Sequence, residues 1–439
     1  MCRSQISRDI PGDARDRAEK GTLTAVSGSP RRDQSVDQGA VSLADLISGE
    51  SNMSNDSSVP TVRMLGTRGI PAAHGGFETA AEHLADYLVQ RGWRVVVYCQ
   101  EDGTGPIHED TWNGVERVHI PVDRTGAAGT GQFDWSAARH AARHSDLCLL
   151  FGYNTAVFNL LQRVRRIPLI INMDGIEWQR ERWGPSRRAW LYMNERIAGL
   201  LGNDLIADHP AIEQYLRGRV PSAKLTMIPY GADEVTACPD DSVRGLGLVP
   251  DRYLTLICRP VQENSILEIV KGFSRVERGV KLVILGTYDA ATNEYHRKVQ
   301  EAASSEVLFP GSIYDAQTTR ALRFHSLAYL HGHTVGGTNP SLVEAMGAGN
   351  AIIAHNNQYN RWVADAGALY FTDTDSANAQ LTRLINEPAL RANLSAASRL
   401  RHQKLFTWDR VAEQYERLLL TRLGQSTTLR PNTHKVRKR

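Results

Sequence analysis

The chain has 439 residues, 41% hydrophobic and 23% charged, a balance that excludes fibrous, collagen-like and wholly disordered chains. At roughly 100–200 residues per domain, this length predicts two to three domains with cores large enough to need no disulfide staples. With 51 Lys and Arg against 48 Asp and Glu the net charge is only +3, so global charge gives no argument for a nucleic-acid partner.

Residues 1–59 are rich in Ser, Asp, Arg and Gly, show no sustained period, and read as a disordered extension. They lack an apolar core followed by a small-residue cleavage site and so do not read as a secretory signal. Met53 and Met64 are alternative starts. Beyond them, short apolar runs alternate with helical stretches. Strands are expected near 61–67, 94–99, 115–121, 146–152, 168–173, 204–208 and 225–229. In the first helical stretch Phe77, Ala80, Ala81, Leu84 and Leu88 share a face, with Glu78, Glu82 and Asp86 pointing away. The alternation then restarts, with strands expected near 253–258, 282–286, 307–309, 327–331, 351–354 and 368–371. Short, fully apolar strands separated by helices mean parallel sheets covered on both faces. Two such series, divided at 235/236, imply two doubly wound, Rossmann-like domains facing a cleft, over 60–235 and 236–408. A polar stretch at 425–439 ends in a basic tail.

The cysteines Cys2, Cys99, Cys148, Cys238 and Cys258 form no C-x-x-C pair, which fits a reduced, cytoplasmic setting. No apolar run approaches the ~20 residues that span a bilayer. The histidines show no H-E-x-x-H or other ligand spacing, so no zinc site is expected. Asp373-Thr-Asp375 is a D-x-D sequence without supporting context; it is assigned to a turn, and no essential metal is expected.

Two segments carry the signs of chemistry. The first strand runs into Gly66-Thr-Arg68-Gly69-Ile-Pro71-Ala-Ala-His74-Gly75-Gly76 and then a helix. This is neither the G-x-G-x-x-G fingerprint nor a Walker A loop, but glycines between a strand and a helix let backbone N–H groups approach an anion. The second is His331-Gly-His333-Thr-Val-Gly336-Gly337-Thr338-Asn339-Pro340-Ser341-Leu-Val-Glu344. Asn339 suits an N-cap, Pro340 the first helical position, and Glu344 falls in the first turns.

Together with Asn172-Met-Asp174-Gly175-Ile-Glu177-Trp178 and Ile228-Pro229-Tyr230-Gly231-Ala-Asp233, these segments resemble bacterial retaining glycosyltransferases of family four, in their rhamnosyltransferase-like branch of polysaccharide synthesis. The resemblance covers about residues 61–424 and implies the GT-B fold. It also implies that Phe406 to Leu423 holds a crossover helix, over 409–424, returning to the first domain. It places donor binding on the second domain. Arg259 matches the diphosphate-binding arginine, near Glu263 and Asn264, and Glu344 the ribose-binding glutamate. Gly336 stands where relatives carry a glutamate and Asn264 near where they carry a lysine, so His333, Gly336, Gly337, Thr338 and Asn339 are expected to complete the donor site. Asp174, Glu177 and Trp178 are implied on the acceptor side, with Arg68, Gly69, His74, Gly75 and Gly76 as the facing loop.

Catalysis is then expected to rest on Asp174, Arg259 and Glu344, with a nucleotide-diphosphate sugar, rhamnose being the leading choice, as co-substrate rather than cofactor. The acceptor would be a saccharide or lipid-linked saccharide. Arg180, Arg182, Trp183, Arg187, Arg188, Trp190, Tyr192 and Arg196 interleave cations with aromatics, a pattern that suits an anionic inner-membrane surface and equally an ordinary exposed helix. An epimerase or phosphorylase on the same fold, and a non-catalytic saccharide-binding subunit, stay open as alternatives.

Overall fold

The computed structural model describes residues 59–73 and 75–424. The extension expected over 1–59 (save its last residue), the basic tail 425–439 and the loop residue His74 lie outside the described residues.

The first lobe opens with β1 (Thr61–Leu65), α1 (Gly76–Gln90), β2 (Arg94–Asp102), β3 (His108–Trp112), β4 (Val115–Val122) and α2 (Gly126–Ala141). It continues through β5 (Leu147–Phe151), α3 (Leu160–Val164), β6 (Leu169–Asn172), α4 (Pro185–Leu201), β7 (Asp204–Ala207), α5 (Pro210–Arg217) and β8 (Leu225–Met227). The eight strands lie in the order β3-β4-β2-β1-β5-β6-β7-β8, all parallel except β3. Strand periodicity splits the buried residues between two cores. Val62, Met64, Val95, Val97, Leu147 and Leu149 face one core, and Val96, Tyr98, Cys148, Leu150, Leu169 and Ile171 face the other.

The second lobe runs α6 (Asp241–Gly245), β9 (Tyr253–Ile257), α7 (Ile266–Phe273), β10 (Lys281–Leu285), α8 (Glu294–Glu301), β11 (Val307–Gly311) and α9 (Ala316–Phe324). Then come β12 (Ala328–His331), α10 (Pro340–Gly347), β13 (Ile352–His355), α11 (Gln358–Ala364), β14 (Ala368–Phe371), α12 (Thr374–Asn386), α13 (Pro388–Leu405) and α14 (Trp408–Arg422). Its sheet is wholly parallel, in the order β11-β10-β9-β12-β13-β14. This is the doubly wound order in which ligands bind beyond the strands' carboxyl ends, where the order reverses.

Helix α14 leaves the second lobe and packs on the first: Val411, Ala412, Tyr415 and Leu419 share a core with Ala81, Leu84 and Leu88 of α1. The Trp93 indole donates to Glu416 Oε1 at 3.1 Å, and Arg422 holds Asp204 with two bonds of 2.5 and 2.6 Å.

Two local expectations are corrected. Strand β3 is absent from the sequence reading because four of its five residues face solvent, which leaves no apolar period. The Asp373 segment is a helix start rather than a turn: Asp373 caps α12 in a capping box with Ser376, and Asp375 pairs with Arg275.

Candidate active site

A cavity of about 450 Å³ lies between the carboxyl ends of the two sheets. The lobes meet around it at close quarters. Asp208, just after β7, accepts the Thr338 N–H at 3.0 Å on Oδ2, and its carbonyl accepts the Thr338 hydroxyl. A Cβ on Gly337 would sit 2.1 Å from the Asp208 carboxylate, so only glycine fits there. Gly76 at the start of α1 lies against Pro340 at the start of α10, and Arg180 lies 3.6 Å from Glu263.

On the second-lobe wall, Arg259 is exposed and lines the cavity, its guanidinium without a hydrogen bond or ion pair to any described residue. Asn264 also lines the cavity, but its amide donates back to the Arg259 carbonyl at 2.7 Å and holds the turn that presents Arg259. Glu263 is fixed through its carbonyl, which accepts from Thr334 N–H at 2.9 Å and Oγ at 3.0 Å. Its side chain lines the cavity with Oε1 shielded from water and unpartnered. His331 and His333 stack with ring centroids 4.4 Å apart. Burial, with Arg180 and Arg259 adding repulsion, pushes His333 down to about 3, so both walls of that ring face a neutral imidazole. Gly336 has φ 133°, a conformation closed to glutamate, and its backbone lies against Gly175 of the first lobe. That contact is a physical reason for glycine at this position.

Asn339 caps α10, its side chain accepting from Ser341 N–H at 3.1 Å. Glu344 does not line the main cavity. It pairs with Arg323 of α9 at 2.5 Å and borders a second cavity of about 230 Å³ with Asp233 and Arg320.

On the first-lobe wall, Asp174 sits in a left-handed turn at φ 51°, its N–H donating to Asn172 Oδ1 at 3.0 Å. Burial, then the neighbouring Glu177, pushes its carboxyl up to about 6. Burial and then Asp174 push Asp208 up to about 8, and its Oδ1 has no partner among the described residues. Tyr153 ties the turn down, its hydroxyl accepting the Glu177 N–H at 2.9 Å and donating to the Gly175 carbonyl at 3.2 Å. Glu177 is buried and spent on Arg180 at 2.5 Å and Arg182 at 3.0 Å. Trp178 turns away from the cavity; its indole N–H lies 2.9 Å from Glu195 and 3.0 Å from the Tyr215 hydroxyl.

The glycine-rich loop after β1 does not offer all its amides to a ligand. Glu78, expected to face solvent, is buried and accepts the Arg68 N–H at 2.9 Å, and Glu82 accepts from Ala72 at 2.5 Å. Gly69 packs on Cys99, and the Arg68 side chain is exposed outside the cavity. Gly76 and Phe77, however, line it, and α1 starts at Gly75 with no side-chain cap, so the first-turn N–H groups and the dipole face the cleft.

The cavity thus gathers Asp174, Glu177, Arg259, Glu263, Asn264, His333, Thr338, Asn339 and Gly76, while Trp178, Glu344, Arg68 and Gly69 lie elsewhere. Sequence reasoning missed Asp208, Tyr230 and the cavity-facing side of Arg180. The signal for Asp208 was available: it follows a buried strand at the same sheet edge that singled out Asp174.

Residues 59–233 match the family described as "Domain of unknown function (DUF1972)". No curated protein matches the chain by sequence. Solved structures do match. Sucrose-phosphate synthase from Thermosynechococcus elongatus is 18% identical with a TM-score of 0.70, over 84% of this chain and 100% of its own. HepE from Anabaena, solved with UDP and glucose, is 13% identical with a TM-score of 0.63, over 83% of this chain and 100% of its own. An alpha,alpha-trehalose-phosphate synthase (UDP-forming) from Burkholderia xenovorans, solved with glucose-6-phosphate, is 12% identical with a TM-score of 0.64, over 82% and 99%. With two Rossmann-ordered lobes and a helix crossing back to the first, this chain has the GT-B fold.

Proposed function

We propose that this chain is a retaining glycosyltransferase. It moves a sugar, rhamnose being the leading choice, from a nucleoside-diphosphate donor to a saccharide or lipid-linked saccharide in cell-surface polysaccharide synthesis. One observation carries the reading: the Arg259 guanidinium, without a partner among the described residues, and the uncapped start of α1 converge on a cavity whose opposite wall holds two half-buried carboxyls, Asp174 and Asp208. A diphosphate fits the first pair, since arginine can bridge two phosphate oxygens and a helix N-terminus favours negative charge. A sugar hydroxyl fits the second. The structural likeness to HepE bound to UDP and glucose, and to a UDP-forming synthase, supports the same donor chemistry, and the sequence motifs support the sugar.

In this reading Arg259 and the α1 dipole stabilise the departing diphosphate, whose oxygen takes the acceptor's proton as the hydroxyl attacks the same face. Glu263 supplies the carboxylate that Gly336 cannot, aimed at hydroxyls of the donor sugar. Asp208, protonated at neutral pH, donates to the acceptor, and Asp174 orients its hydroxyl. Glu344 takes the donor ribose in the second cavity. We expect no essential metal for transfer. Among the described residues no helix is long and apolar enough to cross a membrane. The exposed Trp190, Tyr192 and Arg188 of α4 are the surface that would rest on the inner membrane.

A thermal-shift screen against UDP, GDP, dTDP and their sugars tests the proposal, because a ligand that binds only the folded chain raises its melting temperature. A shift with one nucleotide family, unchanged by magnesium, supports it. No shift from a folded sample would favour a non-catalytic saccharide-binding subunit.

A further inference from the structure

At the far edge of the first sheet, away from the cleft cavity, β3 and β4 form a hairpin in which His108 and His119 are direct cross-strand partners. Their rings lie side by side, centroids 4.8 Å apart. Glu101 of β2, the strand on the other side of β4, reaches the same spot: one of its oxygens lies 2.7 Å from His119 Nδ1 and 3.7 Å from His108 Nε2.

The protonation of His119 follows from its other nitrogen. Nε2 lies 3.0 Å from Asp110 Oδ1, and Arg117 clamps Asp110 from the far side with both Nε, at 2.8 Å, and Nη2. Arg117 donates to both Asp110 oxygens, so that carboxylate is an acceptor and Nε2 is the nitrogen that carries the proton. Nδ1 is then left with a lone pair. It is shielded from water and makes no hydrogen bond among the described residues, yet a carboxylate oxygen stands 2.7 Å away. Two electron pairs at that separation repel unless a positive charge lies between them. A metal ion between them supplies it and gives His108 a use as the third donor. Glu101, His108 and His119 each offer a ligand atom, and all three lie within 4.8 Å of one another. Two imidazoles and a carboxylate suit first-row divalent ions, zinc foremost, with a fourth position left for water. A histidine ligand that donates its other N–H to a carboxylate is the usual support for such a site.

We propose that Glu101, His108 and His119 bind one divalent transition-metal ion, zinc being the best match, with Asp110 orienting His119. This departs from the expectation of no zinc site, which rested on linear spacing; these ligands come from three strands and are joined by sheet register. His108 is half exposed, so its ring is free to turn its lone pair onto the ion. The ion would tie the solvent-facing edge strand β3 to β2 across β4. The inference is independent of the glycosyltransferase reading, and none of its residues lines the cleft cavity.

The test is calorimetric titration of the untagged, chelator-stripped full chain with Zn²⁺, repeated with Co²⁺ by visible absorption. One ion per chain is expected, with protection of β3 against hydrogen exchange on binding. His108→Ala and Glu101→Gln, both at solvent-accessible positions, should weaken binding at least tenfold while leaving the metal-free circular dichroism unchanged. Asp110→Asn should weaken it about 10–100-fold. No saturable uptake would overturn the proposal. So would uptake unaffected by His108→Ala.

Discussion

The two lobes carry the same strand order to the cleft but furnish it differently. The first brings two carboxyls, Asp174 and Asp208, whose pKa values burial raises to about 6 and about 8. The second brings one imidazole, His333, that burial keeps neutral, and one guanidinium, Arg259, with no partner among the described residues. The first lobe's cavity-lining cations, Arg180 and Arg182, are both paired with Glu177, so the cation left open to a diphosphate is on the second lobe. The first lobe presents groups suited to neutral hydroxyls. The lobes also differ in their helix starts: α10 is capped by its own Asn339, whereas α1 is uncapped.

The largest expected effect breaks the junction between the walls. Gly337→Ala would place a methyl 2.1 Å from the Asp208 carboxylate, so that side chain must leave the Thr338 N–H or the lobes must part. Because a misplacement of about 1 Å can cost ~100-fold in rate, transfer should fall by about that factor or more. If the lobes part, X-ray scattering should show an increased radius of gyration. Next comes the unpaired cation. Arg259→Ala removes charge-assisted bonds worth about 1.5–3 kcal/mol, so nucleoside-diphosphate affinity should drop roughly 10–100-fold. Its melting temperature should stay put, because the side chain is exposed.

The carboxyl wall gives a pH signature. Asp208 is raised from 3.8 to about 8, so the folded chain keeps a proton that the unfolded chain has lost across that range. Its contribution to stability is complete below pH 3.8 and is lost as pH rises towards 8. The slope is at most about 1.4 kcal/mol per pH unit. In Asp208→Asn this slope should vanish, so denaturant melts should show the variant gaining on the parent chain up to pH 8 and no further. The smallest effect belongs to Trp178→Phe. It removes an indole hydrogen bond worth about 1 kcal/mol of stability and should leave transfer within about twofold. A large loss of transfer would return Trp178 to the acceptor site.

How far the sequence could be read follows from these particulars. Thirteen of the fourteen strands were legible, the clearest of them, β1, β5, β6 and β12, because both faces are buried, which makes each a short apolar run. The exception, β3, is polar, but the Asn113-Gly114 pair after it, with φ 50° and 83°, is the hairpin turn signal that could have located it. Residues on loops after strands, such as Asp174 and Arg259, were legible because topology sends them to the cleft. Trp178 was not, since a position on a turn does not say which way the side chain leaves; it points into α4. Glu344 lies beside Arg323 and borders the second cavity rather than the main one. Glu78 and Glu82 misled for a related reason: a charged helix face reads as solvated, yet here it satisfies backbone N–H groups of the preceding loop.

The most direct test of the division between walls is calorimetric titration of the full chain with UDP, GDP and dTDP without magnesium, in parent, Arg259→Ala and Asp174→Asn forms. The account predicts saturable binding of one nucleoside diphosphate, weakened at least tenfold by Arg259→Ala and unchanged by Asp174→Asn. Absence of binding from a folded sample, or a loss caused equally by Asp174→Asn, would contradict it.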